Sequence, residues 1–361
     1  MKTLISLLAV SALAMTGARA AQPLPALKSV SATDSRILYV GRVAIDSGTA
    51  HLSWPGSYLQ GRFTGTSLKL ILAEPTNDNA IWLKIDQSDW SELHSLKGQT
   101  VVDLSPRSLA SGNHEFMVVK KTEPTWGGLS KRLSIRAIQH DADGQWLGTP
   151  GRSGHIVEFI GDSITAGFAV NGPSSLSNDD PMASYAFQSA QAVGAEPWLM
   201  AQSGIGVVRN HPSNQDRGDV EPMPSRYQKL RLADQPDIIV VNLGTNDFFA
   251  SVDTDTLKTA YLKFLTDLLA LHPKSWILAL RPFHGYYAQS EQQSVESVRN
   301  THVKFIDTTG WLDFGRYSTD GTHPNLQGHA KVAARLIPIL KGYLSQKIPR
   351  DEPSSSAKPS K

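Results

Sequence analysis

The hydrophobic pattern of this chain changes at a glycine-rich segment, Gly148 to Gly154, and this change limits the possible folds more than any other feature. Beyond it, short apolar runs alternate with longer stretches of helical periodicity. Such alternation is typical of a parallel sheet with helices on both faces. The predicted strands and helices are Ile156 to Ile160, Ser184 to Val193, Ile238 to Leu243, Thr256 to His272, Trp276 to Leu280, Val303 to Asp307 and Asn325 to Leu344.

Before that segment, the chain is a succession of short β-prone runs separated by turn residues. Their spacing is that of an all-β sandwich, and a jelly roll is the predicted arrangement. The predicted strands are Ile37 to Val40, Val43 to Ile45, His51 to Trp54, Tyr58 to Phe63, Ser67 to Leu72, Ile81 to Ile85, His114 to Lys120 and Arg132 to Gln139. We therefore expect a β-sandwich domain over residues 21–148 and a three-layer α/β/α domain over residues 149–348.

The two ends of the chain differ from the rest in composition. Residues 1–20 contain an apolar stretch from Leu4 to Met15 and then Ala18-Arg19-Ala20, which predicts a secretory signal peptide. A membrane anchor is the alternative, but the apolar stretch is shorter than the ~20 residues that a span needs. Pro349 to Lys361 is rich in Pro, Ser and charge and is predicted to be a disordered tail. The expected location is secreted or periplasmic.

Composition excludes several classes of function. The net charge is only +2, with basic and acidic residues interspersed, so neither nucleic acid nor a membrane surface is a predicted partner. Cysteine is absent, which excludes disulfides, thiolate metal sites and a thiol nucleophile. The histidines do not pair at a metal-ligand spacing. No metal or cofactor is predicted, and the chain is expected to be a monomer.

Ligands of a parallel α/β sheet bind outside the carboxyl ends of its strands. The strand Ile156 to Ile160 leads into Gly161-Asp162-Ser163, which places the hydroxyl of Ser163 at that edge. A serine hydroxyl becomes a good nucleophile only when a base removes its proton. His323, just before the last predicted helix, is the candidate base, and Asp320 is close enough in sequence to hold one nitrogen of its ring.

Acyl transfer also needs hydrogen-bond donors for the negatively charged oxygen of the tetrahedral intermediate. The candidates are the backbone N–H groups of Ser163 and Gly206 and the side-chain amide of Asn246, which follows the strand Ile238 to Leu243. Gly206 is preferred over Gly204 by its position in the turn.

These blocks together resemble the SGNH (GDSL-like) hydrolase superfamily. The resemblance rests on Gly-Asp-Ser-Ile at 161–164, Ser-Gly-Ile-Gly at 203–206, Gly-Thr-Asn-Asp at 244–247 and Asp-x-x-His at 320–323, and covers about 160 residues. A β-sandwich in front of such a domain is similar to carbohydrate esterase family 2, whose members deacetylate plant cell-wall polysaccharides. The resemblance implies Ser163 as nucleophile, His323 as base, and Gly206 and Asn246 in the oxyanion hole.

The chain departs from the superfamily pattern at Val207, where Gly-Asp commonly follows the turn. Some family members use a Ser-His dyad, so Asp320 is the catalytic assignment that the resemblance supports least. Asp162 and Asp247 are interpreted as residues that bond loop backbone. Aromatic residues in turn-rich segments could stack on sugar rings or pack internally; they are Trp126, Tyr286, Tyr287 and Trp311.

Three functions remain open on the sequence. The first is an exported esterase that removes acetyl groups from glucomannan or xylan, with the 6-position implied by the resemblance. The second keeps the same nucleophile but acts on a lipid, a thioester or an O-acetyl group of the bacterial wall. The third is a polysaccharide-binding protein with an inert hydrolase fold. The intact Ser, Gly, Asn and His set argues against the third.

Overall fold

This computed structural model describes residues 26–74, 78–105, 107, 109–124, 131–175, 177–229 and 235–346. The predicted signal peptide and C-terminal tail lie outside these ranges. Among the described helices, none combines the length and the apolar character that crossing a membrane requires.

The N-terminal half consists of strands that pair antiparallel throughout. They are β1 (Leu27–Ser31), β2 (Leu38–Val40), β3 (Val43–Asp46), β4 (Thr49–Leu52), β5 (Tyr58–Thr64), β6 (Leu68–Leu72), β7 (Ile81–Ile85), β8 (Ser91–Leu93), β9 (Val101–Asp103), β10 (Asn113–Lys120), β11 (Leu133–Asp141) and β12 (Trp146–Gly148). One sheet has the order β3-β4-β11-β6-β9, with β1 also paired to β11. The other has the order β12-β5-β10-β7-β8, with β2 paired to β5.

Both antiparallel sheets contribute to one apolar core. Leu52, Leu70 and Ile135 come from the first sheet, Leu59 and Val118 come from the second, and all five are fully buried. Side chains alternate across a strand, so burying one face of each sheet produces this two-layered packing. The predicted β-sandwich is confirmed; its description as a jelly roll stays a prediction.

The C-terminal half alternates strands with helices. Its strands are β13 (Ile156–Gly161), β14 (Glu196–Ala201), β15 (Ile238–Asn242), β16 (Trp276–Leu280) and β17 (Val303–Ile306). Its helices are α1 (Ser163–Ala166), α2 (Tyr185–Ala192), α3 (Pro212–Gln215), α4 (Met223–Lys229), α5 (Thr245–Phe249), α6 (Thr254–Leu271), α7 (Ala288–Val298), α8 (Phe314–Tyr317) and α9 (Leu326–Leu344).

The five strands form a parallel sheet with the order β14-β13-β15-β16-β17. Helices cover both of its faces. On one face, α2 and α9 pack against residues such as Phe159 and Val240. On the other, α4, α6 and α7 pack against residues such as Val241 and Ala279. Adjacent residues of one strand thus enter opposite layers, which confirms the predicted three-layer α/β/α domain.

The two domains are in direct contact. The guanidinium of Arg42, between β2 and β3, forms a buried ion pair with Glu158 on β13. The Tyr227 hydroxyl donates to the same carboxylate at 2.7 Å. A buried charge needs a partner and further hydrogen bonds, and this pair has both. The interface therefore includes a polar link, which lies between the sandwich and the amino-terminal half of β13.

Candidate active site

Ser163 is the first residue of the short helix α1, directly after β13. The carboxylate of Asp162 caps this helix by accepting the Ile164 N–H at 2.9 Å. The backbone carbonyl of Asp162 also accepts the Thr165 and Ala166 N–H groups, at 3.1 and 3.0 Å. The first N–H groups of a helix lack acceptors within the helix, and in this turn the Ser163 N–H is the one that no described residue accepts. The local sequence therefore places the Ser163 hydroxyl and its own N–H together at the carboxyl edge of the sheet.

His323 lies 160 residues after Ser163 in the chain, but its side chain contacts that serine. The Nε2 atom of His323 lies 2.8 Å from the Ser163 Oγ. The Nδ1 atom lies 2.7 Å from the Asp320 carboxylate, which also accepts the His323 backbone N–H at 2.8 Å. With Asp320 holding a proton on Nδ1, Nε2 is left as the acceptor that a general base needs.

The electrostatics of Asp320 fit this arrangement. Desolvation acts to raise the pKa of the carboxyl, but the hydrogen bonds from the His323 backbone and ring and from the Thr322 N–H outweigh it. The pKa of Asp320 is therefore held below its ordinary value. An ionised carboxylate at this position stabilises a proton on the imidazole.

Asn246 lies in α5, after β15, and is buried beside Ser163 at the cavity wall. Its Nδ2 atom donates to the Ile205 carbonyl at 2.9 Å and makes a longer contact of 3.3 Å to the Asp162 carboxylate. The longer contact is the weaker of the two.

Gly206 differs from the prediction in the direction of its N–H. The group donates to the Asn210 Oδ1 at 3.1 Å, and the residue is buried. Gly204, in the same turn, borders the cavity, and no acceptor among the described residues takes its N–H. The structure therefore brings Ser163, His323, Asp320 and Asn246 together, and presents Gly204 instead of Gly206.

Asp162 and Asp247 bond loop backbone, as the sequence interpretation expected. Asp247 accepts the N–H groups of Val207, Val208 and Arg209 at 2.7 to 3.0 Å and so holds the turn that departs from the superfamily pattern. Asp162 is fully enclosed, and desolvation raises its pKa to about 7, with a further contribution from the charge of Asp247.

The catalytic-type residues open into a cavity of about 520 Å³. Phe168 and Phe249 line it, and the ring of Phe168 packs on the His323 imidazole with centroids 4.7 Å apart. The sandwich domain supplies another part of the wall, the segment Lys121 to Pro124. Sequence reasoning missed all of these residues. Only the two phenylalanines carried a signal, since each lies within five residues of a recognised motif.

The aromatic candidates differ in how far they are packed. Tyr286 is half-buried and stacks on Phe248, with centroids 3.8 Å apart, and on His284, with centroids 5.2 Å apart; Phe248 is 45% exposed. Trp311 belongs to the core, and the Tyr287 hydroxyl donates to the Val252 carbonyl at 2.5 Å, so both follow the packing alternative. Trp126 lies outside the described residues.

Comparison with known proteins connects this geometry to a family. Residues 159–331 match the GDSL-like Lipase/Acylhydrolase family, and residues 39–150 match the carbohydrate esterase 2 N-terminal domain. The chain is 30% identical to an acetylxylan esterase / glucomannan deacetylase of Cellvibrio japonicus over 259 residues, which is 63% of this chain and 69% of the relative.

Two further similarities bear on its extent and its fold. The cellulase/esterase CelE of Acetivibrio thermocellus is 26% identical over 336 residues, 85% of this chain, but the match spans only 39% of that relative. A family two carbohydrate esterase from Cellvibrio japonicus superposes with a TM-score of 0.75 at 21% identity, covering 89% of this chain and 99% of the other, which supports the same fold. The chain therefore belongs to the GDSL-like hydrolases and, among them, to family 2 of the carbohydrate esterases, which are carboxylic ester hydrolases.

Proposed function

We propose that this protein is an exported serine esterase that removes O-acetyl groups, including 6-O-acetyl groups, from plant cell-wall polysaccharides of the glucomannan or xylan type. The observation that carries the proposal is the continuous line of hydrogen bonds from Asp320 through His323 to Ser163, with distances of 2.7 and 2.8 Å, at a cavity wall. The names of the Cellvibrio japonicus relative support the substrate class, and residues 1–20 support export through their signal-peptide pattern.

In this mechanism the Ser163 Oγ attacks the acetyl carbonyl carbon while the His323 Nε2 takes its proton. The imidazolium is stabilised by Asp320 and returns the proton to the sugar oxygen as the carbon–oxygen bond breaks. A water then gives a proton to His323 and attacks the acetyl group on Ser163. Acetate leaves, and the Ser163 oxygen recovers the proton.

The carbonyl oxygen becomes negatively charged in both halves of the reaction. We assign its stabilisation to the N–H groups of Ser163 and Gly204 and to the Asn246 amide. Each donor of this kind is worth about 10²- to 10³-fold in turnover in comparable enzymes. Gly206 donates its N–H to Asn210 and so stabilises the turn. We do not assign it as a donor to the oxyanion.

The polymer would lie along Phe248, which is 45% exposed, and the half-buried Tyr286 that stacks on it. Phe249 joins this pair to the cavity, since its ring lies 6.0 Å from Phe248 and 6.1 Å from Tyr286, centroid to centroid. Aromatic faces bind the apolar faces of sugar rings through the same apolar burial that operates in protein cores.

Acyl-chain preference separates this proposal from a lipase-like activity. Acetyl needs a small slot, whereas a long acyl chain needs an extended apolar one. Aryl acetate, butyrate and octanoate should be compared, and the release of acetate from acetylated glucomannan and xylan should be followed by NMR. We expect acetate to be the preferred ester and Ser163→Ala to release none. A maximum at octanoate would overturn the proposal, and glycan binding without any turnover would favour the inert alternative.

A further inference from the structure

The turn that carries Gly204 is held by a side chain of the sandwich domain. The Glu123 carboxylate accepts the Ser203 N–H at 2.5 Å through one oxygen and the Ser203 hydroxyl at 2.7 Å through the other. Glu123 follows β10, and 80 residues separate it from Ser203. Two hydrogen bonds from one residue to the two oxygens of one carboxyl group fix the position and the orientation of that residue.

The opposite side of the same turn is held from within the α/β domain. The Asn214 Nδ2 donates to the Ser203 carbonyl at 2.9 Å, and the Gly204 carbonyl accepts the His211 N–H at 2.7 Å. In a trans peptide the N–H points away from the C=O of the same unit. The Gly204 N–H therefore points away from Asn214, and Glu123 fixes the residue that begins this peptide unit.

The segment that carries Glu123 is itself anchored. The Lys121 ammonium forms an ion pair with Glu92 and donates to the Ser177 carbonyl at 3.0 Å. The hydroxyl of Thr122 donates to the Asn79 Oδ1 at 2.7 Å. Glu123 is thus held in a fixed position on the cavity wall. Desolvation raises the pKa of its carboxyl to about 7, although the hydrogen bonds from Ser203 act to lower it.

We propose that Glu123 is a positioning residue for ester hydrolysis, through which the sandwich domain holds the Ser203–Gly204 peptide so that its N–H faces the reacting carbonyl oxygen. The inference rests on the proposed function above. It assigns a role in turnover to a residue of the sandwich domain, which lies outside the sequence motifs of the hydrolase domain. A displacement of about 1 Å at a catalytic group can cost about 10²-fold in rate.

The test compares Glu123→Gln with wild type and with Glu74→Gln as a matched control. Glu74 is also a sandwich carboxylate that accepts a serine hydroxyl, that of Ser134 at 2.8 Å, but it does not border the cavity. With an aryl acetate, we expect Glu123→Gln to lower kcat about 10- to 100-fold with KM within about twofold, since a donor for the oxyanion acts in the transition state. Glu74→Gln should leave both unchanged.

A second measurement does not depend on activity. Amide hydrogen exchange of the peptide covering residues 203–206 should accelerate in Glu123→Gln and not in Glu74→Gln. If wild type hydrolyses the ester and Glu123→Gln keeps its kcat within about twofold, the inference is overturned and the esterase proposal stands. If wild type hydrolyses no ester while exchange still accelerates, the proposed function fails but the hold of Glu123 on the turn stands. Unchanged exchange overturns the inference in either case.

Discussion

The His323 Nε2 lies 2.8 Å from the Ser163 Oγ, although 160 residues separate them in the chain. Ser163 follows β13, an inner strand of the sheet, and His323 precedes α9, the last of the described helices. Both positions lie at the carboxyl edge of one parallel sheet, where ligands of such folds bind. The contact is therefore produced by the topology, and the chemistry follows from the residue types that stand there.

Asn246→Ala tests the oxyanion hole directly. We expect kcat on an aryl acetate to fall about 10²- to 10³-fold with little change in KM, because the amide acts on charge that develops only in the transition state. Steady-state kinetics measure this. Asn300→Ala is the control, since Asn300 is exposed at the opposite edge of the sheet, before β17. If Asn246→Ala and Asn300→Ala changed kcat and KM to the same extent, the effect would reflect general damage to the fold and would contradict a role of Asn246 in the oxyanion hole.

Asp320→Ala tests whether the carboxylate is needed. The Asp320 side chain is 45% exposed, so water can replace part of its interaction with His323. We therefore expect a fall in kcat of about 10- to 100-fold, smaller than for a buried triad acid. Asp313→Ala, which removes the exposed cap of α8, should change kcat little. A loss below about threefold for Asp320→Ala would mean that a Ser-His dyad suffices.

Replacing the stacked aromatic pair Phe248 and Tyr286 should separate polymer binding from chemistry. We expect Tyr286→Ala and Phe248→Ala each to raise KM about 2- to 10-fold on acetylated oligosaccharides, which corresponds to about 0.5–1.5 kcal/mol of aromatic contact. KM for a small aryl acetate, which is too short to reach the pair, should stay the same. An equal effect on both substrates would place the polymer elsewhere.

Asp162 makes stability depend on pH. Burial raises its pKa from 3.8 to about 7, so the folded protein keeps a proton that the unfolded chain releases between these values. The stability contributed by this protonated carboxyl is complete below about pH 4 and is lost as the pH rises through about 7. Asp162→Asn keeps a good helix cap and should remove this decline, on the order of 2–4 kcal/mol.

Urea unfolding between about pH 4 and about pH 8 measures the effect. Asp34→Asn is the control and should keep the wild-type decline over this range, since the hydrogen bond from Arg36 lowers the pKa of Asp34 and so confines its effect to below about pH 4. The same pH dependence in Asp162→Asn and wild type would contradict the assignment.

The sequence predicted the parts of the fold that depend on local pattern. The strand Trp276–Leu280 agrees with its prediction at both ends, and α9 begins one residue after the predicted start. The edge strand β14, Glu196–Ala201, was missed, because Pro197 argues against a strand. A proline is tolerated there because an edge strand pairs on one side only. The sequence of α7, AQSEQQSVESV, has too few apolar residues to show helical periodicity.

The candidate site also divides into residues that the sequence predicted and residues that it did not. Ser163, His323, Asp320 and Asn246 were predictable because each follows a strand or precedes a helix in a recognisable motif. The choice between Gly204 and Gly206 could not be predicted, because it depends on which of the two N–H groups the Asn210 side chain accepts. Glu123 carried no sequence signal at all, since its partner Ser203 lies in the other domain. Tertiary contacts of this kind leave no periodicity in the chain.

The most direct test of the account is to trap the acyl-enzyme. Wild type and Ser163→Ala are mixed with an aryl acetate, quenched in acid during turnover, digested and analysed by mass spectrometry. We predict one acetyl group on Ser163 of wild type, none in the variant, and a fall in hydrolysis of at least about 10³-fold. Near-normal hydrolysis by Ser163→Ala, or an acetyl group on a different residue during turnover, would contradict the assignment of Ser163 as the nucleophile.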